Sequence, residues 1–195
     1  MVTIARYLTH PQVWIDPDKD VPQWSLNDVG KARVATLIKT NALQGTTRVI
    51  SSAETKAIET AEPLAISLDC NMEVYAGMHE NDRSATGFLP PQEFEMVADQ
   101  FFANPHVSIR GWETAIDAQN RIVHEVNECL QLDSEGDILI VGHGGVGTLL
   151  YCALADVPIS RKYDQGPGSG GHYFAFATDT RAPLSGWKPM ENMLD

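Results

Sequence analysis

Two histidines in this chain stand where a nucleophile could work. His143 lies in Asp137-Ile138-Leu139-Ile140-Val141-Gly142-His143-Gly144-Gly145-Val146-Gly147-Thr148-Leu149-Leu150. The apolar run from Ile138 to Val141 predicts a strand buried on both faces, and Leu149, Leu150, Cys152, Ala153 and Leu154 predict an amphipathic helix after it. His143 thus occupies a strand-to-helix turn. The flanking glycines permit a sharp bend, and the amides of Gly144 and Gly145 would point, with the helix dipole, at whatever lies in front of the strand. That combination is an anion site with an imidazole in its mouth. His10 is the second: it ends an apolar segment containing Val2, Ile4 and Leu8, and Pro11 after it cannot continue a ladder.

Two other features carry charge suited to the same chemistry. Lys56 sits in the first turns of a helix that follows Ser51-Ser52, and a long loop holds His79-Glu80-Asn81-Asp82-Arg83. A competing reading comes from Gly142, Gly144 and Gly147, which also spell Gly-x-Gly-x-x-Gly. A dinucleotide site would need a βαβ unit with an acidic residue about 20 residues on. The chain instead runs into the polar, Gly-rich stretch Ser160 to Gly171, with too little sequence left for a nucleotide-binding half. The anion site ranks first, a plain tight turn with an incidental histidine second and the dinucleotide site last, so no cofactor is expected.

The elements that must position these residues alternate. Met1 to Leu8 reads as a first strand, with Arg6 inside it needing a partner. Ser25 reads as the N-cap of a helix that turns Val29, Ala32, Ala35, Thr36 and Ile38 toward a core. Thr47 to Ile50 is a second strand, followed by a helix burying Ala57, Thr60, Ala61 and Leu64. Met72 to Tyr75 is a third strand, and Gly77 to Gln92 is a loop too long for a plain connection. Phe94 to Ala103 and Ala115 to Leu132 read as helices, the second burying Ala118, Ile122, Val123, Val126 and Leu130. Gly171 to Phe176 is a last strand, and the tail after Arg181 is an irregular arm. Strand and helix alternation predicts an α/β three-layer sandwich, with a mostly parallel central sheet and helices on both faces. Ligands in such sheets bind outside the carboxyl ends of the strands, where His10 and His143 both fall.

Composition narrows the class. The 195 residues, 43% of them hydrophobic, suffice for a single domain spanning 1–195. Three cysteines without ligand spacing indicate neither disulfides nor a metal, and Cys129 and Cys152 fall in helical patterns as core thiols. A formal charge of −12 argues against a nucleic-acid surface and means that an anionic ligand must be held by local cations. The absence of a signal pattern and of a long apolar run predicts a cytoplasmic protein without membrane association. Oligomeric state is not encoded in any recognisable motif.

Taken in order, these stretches resemble the histidine phosphatase superfamily, the phosphoglycerate-mutase-like fold. The family's strand followed by Arg-His-Gly is similar to Tyr7-Leu8-Thr9-His10-Pro11, and its Leu-Thr-x-x-Gly helix start to Leu26-Asn27-Asp28-Val29-Gly30. Its Ser-Ser-x-x-x-Arg-Ala-x-x-Thr-Ala helix resembles Ser51 to Ala61, its acid-bearing segment Met78-His79-Glu80-Asn81, and its strand-His-Gly-helix Val141 to Gly145. The resemblance implies that His10 is the nucleophile that takes a phosphoryl group, that Glu80 protonates the leaving oxygen, and that His143 and the Gly144 amide stabilise charge on the transferring group. No metal is implied.

Two positions depart from the family pattern. Thr9 stands where the resemblance expects the first arginine and Lys56 where it expects the second, so two planar forks are reduced to a hydroxyl and a point charge. Both positions are still expected to line the phosphate, with Arg83 the best candidate to restore a guanidinium. Arg6, roughly 13 Å up the strand from His10, fits an ion pair better. The function implied is a phosphatase for a small phosphomonoester, working through a phosphohistidine. The alternatives are a non-catalytic binder of phosphorylated ligands on the same fold and a mutase-type phosphotransferase.

Overall fold

The computed structural model describes residues 3–132 and 134–193. Met1 and Val2, the start of the first expected strand, lie outside the described residues. The strands are β1 (Ile4–Thr9), β2 (Thr46–Ser52), β3 (Met72–Tyr75), β4 (Asp137–Gly142), β5 (His172–Ala177) and β6 (Lys188–Pro189). They form one sheet in the order β3-β2-β4-β1-β5-β6. The first four of that order run parallel, while β5 is antiparallel to β1 and β6 to β5. The helices are α1 (Asp28–Thr40), α2 (Thr55–Ser67), α3 (Pro91–Ala103), α4 (Ala115–Leu130) and α5 (Gly144–Leu154).

The period-two alternation of β4 explains the three layers. Ile138 and Ile140 pack into a cluster with Phe101 of α3, Ile122 of α4 and Leu149 of α5. Leu139 and Val141 face the opposite cluster, with Val34 of α1 and Leu64 of α2. All four are at most 2% exposed, and each such side chain contributes roughly 1.5–3 kcal/mol of burial. With both faces occupied, the apolar run has no polar side to present, hence its continuity in the sequence. Cys129 and Cys152 are buried free thiols, as the helical patterns require.

Three local expectations are corrected. The cap of α1 is Asn27 rather than Ser25, its side chain accepting the Gly30 N–H at 2.9 Å. Helix α1 docks with Gly30 against the Gln12 carbonyl, so closely that a Cβ at Gly30 would collide with it. That contact turns Gly30, Val34 and Leu37 inward and leaves Val29 exposed, so the buried face is not the one expected. The tail is more regular than an arm: Lys188–Pro189 adds a strand to β5, and Met190 and Met193 enter the α1–α2 side of the core.

Candidate active site

The parallel pairing of β1 with β4 sets Thr9 opposite Gly142, so the next residues, His10 and His143, leave adjacent strands side by side. The His10 amide donates to the Gly142 carbonyl at 3.0 Å, extending that register by one residue. The ring centroids are 5.3 Å apart with the planes at 67°. His143 is fully buried; its backbone N–H donates to the Tyr7 hydroxyl at 3.1 Å, and its Nε2 lies 2.8 Å from Ser52 Oγ. Three neighbouring strand ends, β2, β4 and β1, thus supply Ser52, His143 and His10.

His10 is partly buried at the wall of a cavity of ≈ 670 Å³ that Gly144, Glu80 and Arg83 also line. Its Nδ1 is 2.9 Å from the Pro11 carbonyl, which can only accept, so Nδ1 carries the hydrogen. Burial, reinforced by the positive charge of Lys56, pushes its pKa down to about 4 against the opposing pull of the Pro11 carbonyl. The ring is therefore neutral at pH 7 and its Nε2 lone pair is free. Burial likewise holds His143 well below the usual histidine range, although Glu54 opposes this.

Lys56 is placed differently from the expectation. It is 3% exposed, yet its ammonium does not line the cavity: it donates to the Val21 carbonyl at 2.9 Å and forms a close ion pair with Glu54. Glu54 is the residue the sequence reading missed. Standing before the first turn of α2, it looks like a helix cap, but its carboxylate makes no cap bond and turns inward instead. It takes the Glu80 N–H at 2.8 Å on Oε1, which also lies 3.6 Å from His143 Nε2. Burial alone would raise its pKa, but His143, Lys56 and the Glu80 amide outweigh that and hold it at about 2.

The amides at the start of α5 are also partly spoken for. Gly145 and Val146 donate to the Glu80 carboxylate at 3.0 and 2.9 Å, and the Asn81 N–H donates to it at 3.0 Å. The group in the mouth of the helix is the carboxyl of Glu80 itself. The Gly144 amide, at the first helical position, has no intrahelical acceptor and no partner among the described residues, and Gly144 lines the cavity. Arg121 of α4 fixes this arrangement by donating to the carbonyls of Gly77 and His79 at 2.7 and 2.9 Å while pairing with Glu113. Nothing in its sequence neighbourhood marks that role.

The remaining expected residues fall as follows. Arg83 lines the cavity with its guanidinium 4.8 Å from the Phe94 ring centre, its buried Nε without a partner among the described residues. Arg6 pairs with Asp137 at 2.7 Å, away from the histidines. Thr9 is fully buried and its hydroxyl is taken by Gln165 and His172, so it does not itself reach a ligand as expected. Asp82, the other acid of the loop, is exposed, accepts the Ser84 N–H at 2.8 Å and lines a neighbouring cavity rather than that of His10.

A mostly parallel sheet with two apposed histidines at the carboxyl ends of adjacent strands, an acid over the next helix and an arginine in the cavity defines a class of phosphoryl-handling α/β proteins. The chain belongs to the histidine phosphatase superfamily, branch 1, whose family model matches residues 12–169. The match begins two residues after His10, next to the position where Thr9 departs from the family pattern.

Among solved structures, YhfR of Bacillus stearothermophilus is similar over 99% of this chain and 100% of its own, with a TM-score of 0.81 and 18% identity. A phosphoserine phosphatase of Entamoeba histolytica, solved with 3-phosphoglyceric acid, matches over 99% and 100% with a TM-score of 0.75 and 13% identity. A mycobacterial glucosyl-3-phosphoglycerate phosphatase matches over 96% and 97% with a TM-score of 0.71 and 16% identity. No curated protein matches the sequence. Among the described residues no helix is long and apolar enough to cross a membrane.

Proposed function

We propose that this protein is a phosphatase hydrolysing a small phosphomonoester through a phosphohistidine on His10. The observation that carries the reading is the pinned tautomer of His10: Nδ1 is held by the Pro11 carbonyl, so Nε2 offers its lone pair beside His143. In the first step Nε2 attacks phosphorus and the bond to the leaving oxygen breaks, that oxygen taking a proton from Glu80. In the second, water attacks phosphorus, the N–P bond breaks and Glu80 takes the water's proton. His143, the Gly144 amide and Arg83 stabilise the charge on the equatorial oxygens. Support comes from the superfamily membership and from the phosphatases among the structural neighbours.

The test is to quench the protein during turnover of a phosphorus-labelled aryl phosphate and look for an acid-labile, base-stable phosphoprotein. Wild type should carry label on His10, and His10→Ala should carry none and lose hydrolysis. Hydrolysis that survives in His10→Ala would overturn the reading.

A second reading, a non-catalytic binder of phosphorylated ligands, is favoured by one observation: the residues at both expected arginine positions are turned to other partners, Lys56 to Glu54 and Thr9 to Gln165. Phosphate binding by wild type with neither label nor turnover would decide for it.

A further inference from the structure

The loss of the first expected arginine leaves a question that the Gly-rich segment after α5 answers. Thr9 ends β1 directly before His10, and its hydroxyl lies 2.6 Å from Gln165 Oε1 while accepting the His172 N–H at 3.0 Å. A separation of 2.6 Å fits an O–H···O bond better than an N–H···O bond. The hydroxyl hydrogen therefore goes to Oε1 in preference to the His172 carbonyl, which lies farther off at 3.2 Å, and the amide nitrogen of Gln165 must point the other way. That nitrogen lies against Gly144, where a Cβ would collide with it, and it makes no hydrogen bond among the described residues. Gln165, Thr9, His10 and Gly144 all line the same cavity.

We propose that Gln165 is a phosphate-binding residue that takes the place of the missing arginine, with Thr9 as its positioning residue. The inference rests on the phosphatase reading above. Its Nε2 and the Gly144 amide form a pair of neutral donors for one equatorial phosphoryl oxygen, next to the His10 nucleophile. The segment is anchored to do this. The Gln165 N–H donates to Asp164 Oδ1 at 2.7 Å, and the Thr148 hydroxyl of α5 donates to the same oxygen at 3.1 Å. Farther along, Gln12 Nε2 donates to the Gly168 carbonyl at 2.8 Å, Arg33 donates to the carbonyls of Gly170 and Gly171, and the Gly171 N–H donates to the His10 carbonyl at 3.0 Å. Gly168 and Gly170 adopt φ of 112° and 90°, which L side chains rarely take, so the glycines let the loop close down over the histidine. The paired glycines at the start of α5 gain a reason as well: Gln165 lies against Gly144 and Glu80 against Gly145, each so close that a Cβ would displace the end of that side chain.

The test measures inorganic phosphate binding by calorimetry and p-nitrophenyl phosphate hydrolysis in wild type, Gln165→Ala, Gln165→Glu, Thr9→Val and Thr9→Ser. A donor to a charged group is lost in Gln165→Ala, so phosphate should bind about tenfold more weakly. Gln165→Glu puts an acceptor against the anion and should lose more. Thr9→Val should match Gln165→Ala in wild type and cost nothing further in the Gln165→Ala background, while Thr9→Ser restores binding; a merely structural threonine would show neither. Unchanged phosphate affinity in both Gln165 variants would overturn the inference while leaving the phosphatase reading intact, provided that wild type binds phosphate and is labelled on His10. If wild type does neither, both fall together.

Discussion

Replacing Lys56 by methionine should be one of the most damaging single substitutions in this protein, though the side chain removed does not line the His10 cavity. Lys56 and Glu54 are 3% and 6% exposed and form an ion pair. An exposed pair is worth about 0–1 kcal/mol. Removing one partner of a buried pair leaves an uncompensated charge, which costs about 3–5 kcal/mol. In a chain of this size each kcal/mol moves the unfolding midpoint by about 2–4 °C, so Lys56→Met should lower it by about 6–20 °C. Glu54→Gln in the Lys56→Met background removes the stranded charge yet keeps an acceptor for the Glu80 amide, and should return stability to within about 2 kcal/mol of wild type. Urea unfolding of the four proteins at pH 7 gives the coupling energy directly. If Lys56→Met costs less than about 1 kcal/mol, or the double variant is no better than the sum of the singles, the buried pair is not what holds this corner together.

Because the folded pKa of Glu54 lies at about 2, below its unfolded value, its contribution is fully present above pH 4.5 and is lost as pH falls toward 2. Acid unfolding of wild type should therefore steepen across that window relative to the Glu54→Gln, Lys56→Met double variant, as followed by circular dichroism. The acid limb of kcat/KM should fall near pH 4, where His10 protonates and loses its lone pair, and Lys56→Met should move that limb upward by removing a charge that depresses it. Lys56→Arg alone should leave phosphate affinity unchanged, its guanidinium staying with Glu54, whereas adding Glu54→Gln should tighten it, read by calorimetry. Glu80→Gln should slow substrates with basic alcohol leaving groups far more than aryl phosphates, while Asp82→Asn should not; the reverse pattern in steady-state kinetics would reassign the acid.

The layers and the histidines were legible because they rest on local rules. Ile138 to Val141 is apolar without alternation, and that alone specifies a strand covered on both faces; a glycine-flanked histidine after it can only lie at the carboxyl edge. The buried side of α2 could be read for the same reason, from Ala57, Thr60, Ala61 and Leu64 at helical spacing. Helix α1 was misread because its orientation is set by a tertiary contact, Gly30 on the Gln12 carbonyl, rather than by its weakly amphipathic sequence. The roles of Glu54, Gln165 and Arg121 were not legible at all. Each depends on a partner distant in sequence, and a glutamate before a helix, a glutamine in a Gly-rich loop and an arginine in a long helix all have ordinary explanations taken alone.

The site's charge is arranged in pairs, and that constrains how it can hold a phosphate. Glu54 offsets Lys56, and the Glu80 carboxyl group accepts from three backbone amides. Of the two arginines lining the cavity, Arg161 pairs with Glu95 and Asp99, while Arg83 has no carboxylate partner among the described residues. Two unit charges 4 Å apart interact by about 4 kcal/mol at the effective dielectric typical near a protein surface. One arginine on that scale must work against a chain of formal charge −12. Neutral donors add affinity without adding charge that Glu54 and Glu80 would compete for. For the proposed phosphatase, a cavity short of free cations but furnished with the Gly144 amide, the Gln165 amide and a neutral imidazole is thus a consistent solution, in which the buried Glu54 stays paired with Lys56 and directed N–H bonds would hold the phosphoryl group.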